Sequence, residues 1–185
     1  LLWSPRASFS LDPNWKKDVI FRIAAGVYYQ PPFYRELRDL NGVIHTDLKA
    51  QQSIHLVVGS DYQFKAWRRP FKLVSELYYK DLKYLIPYEI DNVRIRYYAN
   101  NNAVGYATGI DLKVNGEFVK GVDSWISLSV MQTREDITDD YYYEYFNQSN
   151  EKIIAGYTAD QVVTDSVRHE PGYIPRPTDQ RVTFN

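Results

Sequence analysis

The chain has 185 residues, a formal net charge of -1, 44% apolar residues and 24% charged residues. Bulk charge therefore gives no drive toward nucleic acid or anionic headgroups. The absence of cysteine excludes disulfides and thiolate metal sites. No stretch approaches the roughly eighteen apolar residues of a membrane-spanning helix. The unusual figure is 17 tyrosines beside four tryptophans. Tyrosine suits strands, and it suits a headgroup layer, where a ring is dry at one end and wet at the other.

In chain order, the first segment has Ala7, Phe9 and Leu11 opposing Arg6, Ser8 and Ser10. Residues 19–30 follow. Val19, Phe21, Ile23, Ala25, Val27 and Tyr29 alternate with Ile20, Arg22, Ala24, Gly26, Tyr28 and Gln30. A period of two means a strand with one apolar face. Residues 53–64 repeat it: Ile54, Leu56, Val58, Tyr62 and Phe64 oppose Ser53, His55, Gly59, Asp61 and Gln63, with Ser60 and Val57 as exceptions. Phe71, Leu73, Leu77 and Tyr79 oppose Lys72, Glu76 and Lys80. Residues 94–98 read as the upper part of a fifth strand. Its body has Tyr106, Thr108, Ile110, Leu112 and Val114 against Ala107, Gly109, Asp111 and Lys113. Ile126, Leu128 and Val130 alternate with Ser127 and Ser129. Val182 and Phe184 oppose Arg181 and Thr183.

The connections alternate in length. Residues 11–19, 65–70 and 115–124 are short, the last with Asn115-Gly116 as its turn signal. Residues 31–49, 85–103 and 135–178 are long, and the last of these is expected to be irregular. Short turns at one end and long loops at the other describe an up-and-down membrane barrel. About seven strands is odd and short of the eight or more of a single-chain bacterial barrel. The last strand begins near Gln180 and the chain stops inside it. The start, Leu1-Leu2-Trp3-Ser4-Pro5-Arg6, lacks the charged head and apolar run of a signal peptide. The expectation is a mature chain or a fragment whose neighbouring strands are missing.

Alternation also fits a soluble β-sandwich or lipocalin-like barrel that holds a ligand or partner. Three features favour a membrane. Small residues (Ala24, Gly26, Gly59, Ala107, Gly109) sit on the polar face, where a soluble surface strand avoids glycine. Aromatics gather at both strand ends. Tyr28, Tyr29, Phe33, Tyr34, Tyr79, Tyr84, Tyr97 and Tyr98 lie toward the long loops, and Trp15, Phe64, Trp67, Phe71 and Trp125 toward the short turns. Several strands also exceed the roughly 9–11 residues that cross a bilayer.

The run Ser4-Pro5-Arg6-Ala7-Ser8-Phe9-Ser10, a short turn, then residues 21–32 ending in Tyr28-Tyr29-Gln30-Pro31-Pro32, resembles mid-barrel strands of TonB-dependent outer-membrane receptors of the Bacteroidetes type. Residues 101–112, a small-residue segment leading to Gly109-Ile110-Asp111-Leu112, resemble another habit of that family. The resemblance covers nearly all of residues 1–185. It implies an all-β, antiparallel up-and-down transmembrane barrel segment, part of a 22-stranded barrel in the bacterial outer membrane. An N-terminal plug fills such a barrel, and an inner-membrane TonB complex powers nutrient uptake. No plug or TonB box is visible in this chain. The implied partners are outer-membrane lipids, the rest of the barrel and plug, the TonB complex and a surface lipoprotein. A barrel that has lost uptake and serves as a scaffold in an outer-membrane complex is an intermediate option.

No enzyme, cofactor or metal site is expected, and no ligand residues can be assigned. His45, His55 and His169 form no spaced pair. His55 is expected to hydrogen-bond in the lumen. Glu135, Asp136, Asp139 and Asp140 read as a solvated acidic loop, with calcium as the alternative, although the EF-hand spacing is missing. Arg6, Arg22, Lys72, Glu76, Lys80, Asp111 and Lys113 read as a lumen network of paired charges, or as groups steering a polar or anionic ligand. Tyr141, Tyr142, Tyr143, Tyr145 and Phe146 either pack their loop or stack on a sugar or peptide. No phosphate loop or Ser-His-Asp set can be assembled.

Overall fold

The computed structural model describes residues 2–176 and 182–184. All its regular structure is β. The strands are β1 (Arg6–Leu11), β2 (Asp18–Gln30), β3 (Gln51–Ala66), β4 (Arg69–Leu85), β5 (Tyr88–Asp91), β6 (Arg94–Tyr97), β7 (Ala103–Val119), β8 (Val122–Ile137), β9 (Tyr142–Phe146), β10 (Asp165–His169), β11 (Ile174–Pro175) and β12 (Val182–Phe184). One eight-stranded antiparallel sheet runs β1-β2-β3-β4-β7-β8, with β11 and β12 both pairing β8. It is open and does not close into a barrel among the described residues. The expected start of the last strand at Gln180 and Arg181 lies outside them.

The long strands come from period-two segments that reach beyond the alternating stretch itself. β3 and β8 have 16 residues, and β4 and β7 have 17. Registry is continuous across β2, β3, β4, β7 and β8, so side chains of one parity share one face throughout. Two bulges break the ladders. One lies between Leu82 and Leu85, where Tyr84 has φ 57°, and the other between Gly116 and Val119.

The turns correct one expectation. Asn115-Gly116 is not a turn: the two residues pair with Trp125 and Ser124 inside the ladder. The chain reverses at Lys120-Gly121, where Gly121 supplies φ +76°. Gly116 is needed for another reason, because the Phe71 ring overlaps the place where its Cβ would stand. At the other hairpin Trp67 and Arg68 both take positive φ, 48° and 62°. That is the double left-handed geometry of a two-residue hairpin turn, usually filled by Asn-Gly.

Residues 94–98 are not the upper part of β7. β6 turns back on β5 as a separate hairpin, with Glu89 opposite Arg96 and Asp91 opposite Arg94. Nor is residues 135–178 wholly irregular. Glu135 and Asp136 still belong to β8, and β9 and β10 form a hairpin of their own. Buried apolar side chains are few. Leu85, Ile86, Pro87, Ala99 and Ala103 cluster where the sheet meets the second long connection. Among the described residues the broad sheet has no second layer on its apolar side.

Candidate functional site: the two faces of the sheet

One face is an uncovered apolar field. A row of direct cross-strand neighbours runs Phe9, Ile23, Val58, Leu77, Ile110, Val130, Val182. All seven are exposed, Leu77 at 56%. A second row runs Leu11, Phe21, Ser60, Ser75, Leu112, Leu128, Phe184, and a third Val19, Tyr62, Leu73, Val114, Ile126. On β3 the apolar side chains run ten residue steps, from Ile54 to Phe64, although Asp81 stands directly opposite Ile54 on that face. At about 3.3 Å per step and a tilt near 40°, that is about 25 Å, the height of an outer-membrane apolar band.

Rings mark both ends of the field. Near the short turns, Tyr62, Phe64, Phe71 and Phe118 form a chain with centroids 5.2–5.7 Å apart, and Trp67 joins at Phe71. Toward the long loops, Tyr79, Tyr106 and Tyr173 follow at 6.3 and 5.5 Å. Tyr28, which the alternation already places on the Arg22 face, and Trp125 share the parity of the polar face, and their rings contact His55 and Lys113 there.

The polar face holds the charges. Arg22 donates two hydrogen bonds to the Asp61 carboxylate, at 2.7 and 2.9 Å, and Lys72 reaches it at 2.8 Å. Glu76 lies 3.7 Å from Arg22. This is the paired network expected for Arg22, Lys72 and Glu76, with Asp61 as its hub. Sequence reasoning placed Asp61 on this face but did not single it out; two cations two residues from its cross-strand neighbours were the available signal. Replacing Asp61 by Ala strands two cations. Arg22 and Lys72 are 43% and 46% exposed, so solvent screens much of the loss. The expected cost is about 1–2 kcal/mol in denaturant titration.

The other cations use rings instead of carboxylates. Arg6 covers Tyr28 at 4.3 Å, Lys80 faces Tyr78 at 5.5 Å and Lys113 faces Trp125 at 5.1 Å. Asp111 sits directly opposite Glu76. His55 stacks on Tyr28 with centroids 4.3 Å apart, a ring contact in place of the expected hydrogen bond. The small residues now have a reason. Tyr28 lies against Gly26, and Tyr78 against Gly109. Gly26 is buried, while Phe21 and Ile54 are exposed.

The remaining candidates lie outside the long strands. His45 meets Asp39 at 3.1 Å, and Asp39 also accepts the backbone N–H groups of Asn41 and Val43. The His45 hydrogen bond, with those two, holds the Asp39 carboxyl below its ordinary range. A depressed carboxyl stabilises the folded loop above its unfolded pKa near 3.8, and that contribution fades as pH falls through the lower folded value. Protection factors at the Asn41 and Val43 amides, which remove the intrinsic pH dependence of exchange, should therefore hold at neutral pH and fall only below about pH 4. Asp39→Asn should remove that pH dependence.

His169 stacks on Tyr142 and lies 3.4 Å from Glu144, which Lys152 also contacts. Tyr141, Tyr143 and Tyr145 line the other side of β9, with Arg168 over Tyr141. The acidic run is not uniformly solvated: Glu135 is buried and paired with Arg176 at 2.8 Å. Among the described residues no group of three or more His, Cys, Asp or Glu is placed to hold a metal ion.

No protein-family model, curated protein or solved structure matches this chain significantly. The class that the fold defines is an open, all-β, antiparallel sheet of up to eight strands with one bare apolar face.

Proposed function

We propose that this chain forms part of the wall of a TonB-dependent outer-membrane receptor that takes up a nutrient. The observation that carries the reading is the apolar field, three rows tall and up to seven strands wide, with nothing of the described chain over it. Scattered exposed apolar residues are ordinary on a soluble protein, but contiguous patches beyond a few hundred Å² mark a contact surface. Lipid chains cover such a field without any second sheet, and the rings at its two ends suit the two headgroup layers. The opposite face, with its Asp61 hub and ring-stacked cations, suits a hydrated lumen. In this reading the open sheet edges pair with further barrel strands, since unpaired backbone groups in hydrocarbon cost several kcal/mol each. A plug, the TonB complex and a surface lipoprotein are the partners that go with it.

The chain has no cysteine, so single cysteines can be read without background. Ile23→Cys, Leu56→Cys and Leu77→Cys should resist a water-soluble maleimide in intact membranes. Ala24→Cys and Val57→Cys, one residue away on the other face, should react. Equal reactivity of the two sets would overturn the reading and favour a soluble β-domain whose apolar face a partner covers.

A further inference from the structure

The β5–β6 hairpin and the first long connection enclose a cleft of about 650 Å³ outside the sheet. That size falls in the range of small-molecule sites. Its charges do not balance. Arg35, Arg94 and Arg96 line it with a single acid, Asp91. Arg96 is already committed: it lies 3.5 Å from Asp91 and 3.7 Å from Glu89, and it donates to the Leu40 carbonyl at 2.7 Å. That last bond ties the hairpin to the first long connection. Arg35 and Arg94 have no ion pair or side-chain hydrogen bond among the described residues. Glu36, the acid next to Arg35, does not line the cleft, although its charge is felt at Tyr97. It is buried and accepts the Phe33 N–H and the Gln51 amide.

We propose that this cleft binds a small organic anion, its carboxylate or phosphate held by Arg35 and Arg94 and its carbon body against Val93 and Tyr97. Planar guanidinium forks match such oxyanions two bonds at a time. The Tyr97 phenol, like any tyrosine, is a hydrogen-bond donor at neutral pH. The exposed aliphatic Val93, with the Tyr97 ring, gives the cleft an apolar wall that inorganic ions do not need. The inference depends on the receptor reading only in making this cleft an outward-facing ligand site.

The test is calorimetric titration of the detergent-solubilised protein with glutarate, phenyl phosphate and the neutral analogue glutaramide. Both anions should bind, more weakly as salt rises, and glutaramide should not. The double variant Arg35→Gln with Arg94→Gln should weaken anion binding by about tenfold or more, and Arg94→Lys, which keeps the charge but not the fork, by less. Lys113→Gln, remote from the cleft, should change nothing. Absence of anion binding, equal binding of glutaramide, or an unaffected double variant would each overturn the proposal. Cysteine labelling of the double variant shows whether its sheet is intact. In the parent protein, sorted labelling with failed titration rejects the cleft alone. Unsorted labelling of the parent protein rejects the receptor reading whatever the titration shows.

Discussion

Leu77→Arg should destabilise the protein in lipid bilayers by about 2–4 kcal/mol, the cost of a cation near the midplane of a barrel's lipid face. Leu77 is the central member of the seven-residue apolar row, flanked by Val58 and Ile110. It is 56% exposed in this chain. Facing water, such a residue would tolerate arginine within about 0.5 kcal/mol, as exposed positions usually do. The two readings of the fold therefore differ by several-fold at one site. Ser129→Arg, on the polar face of β8, is the matched control. There the guanidinium meets a hydrated surface, and its effect should be small. Reversible unfolding in liposomes, followed by tryptophan fluorescence, measures both. A neutral Leu77→Arg would mean that no hydrocarbon lies against that row.

The sheet was legible in the sequence because alternation is a local signal. Residues 19–30 and 53–64 declare their faces without help from the rest of the chain, and the registry of β2 with β3 keeps those faces aligned. The turn between β7 and β8 was misplaced for an equally physical reason. Asn115-Gly116 has the usual turn chemistry, but here Gly116 makes room for the Phe71 ring, a contact 45 positions away in sequence. Lys120-Gly121 does the turning with a weaker signature. The reversal at Trp67-Arg68 has no turn signature at all, and pairing of the long strands on either side holds it.

The polar face was legible as a set of charges but not as a set of partners. Arg22, Lys72 and Glu76 were visible, whereas the convergence of Arg22 and Lys72 on Asp61, with Glu76 beside Arg22, depends on the registers of three strands. Residues 94–98 alternate like a strand, and Arg94–Tyr97 are one, but periodicity does not say which neighbour a strand takes. The cleft lined by Arg35 and Arg94 left no sequence signal, because it exists only once that hairpin folds beside the first long connection.

Gly109→Ala should cost about 1–3 kcal/mol, in the range of overpacking a filled site. A Cβ at Gly109 would stand 2.5 Å from the Tyr78 hydroxyl oxygen, 2.7 Å from its ring carbon and 2.7 Å from the Val130 carbonyl oxygen. The first two contacts belong to a side chain and the third to the neighbouring strand's backbone. A double-mutant cycle separates them. In a Tyr78→Ser background the ring is gone, so the penalty of Gly109→Ala should fall to the part set by the Val130 backbone, which cannot swing aside. Equal penalties in the two backgrounds would mean that the ring does not lie over Gly109. The outcome reaches beyond one residue, because Gly26 and Gly109 each leave room for a tyrosine side chain close to the sheet. In the proposed receptor, rings held that close would project less far into the hydrated passage beside the wall.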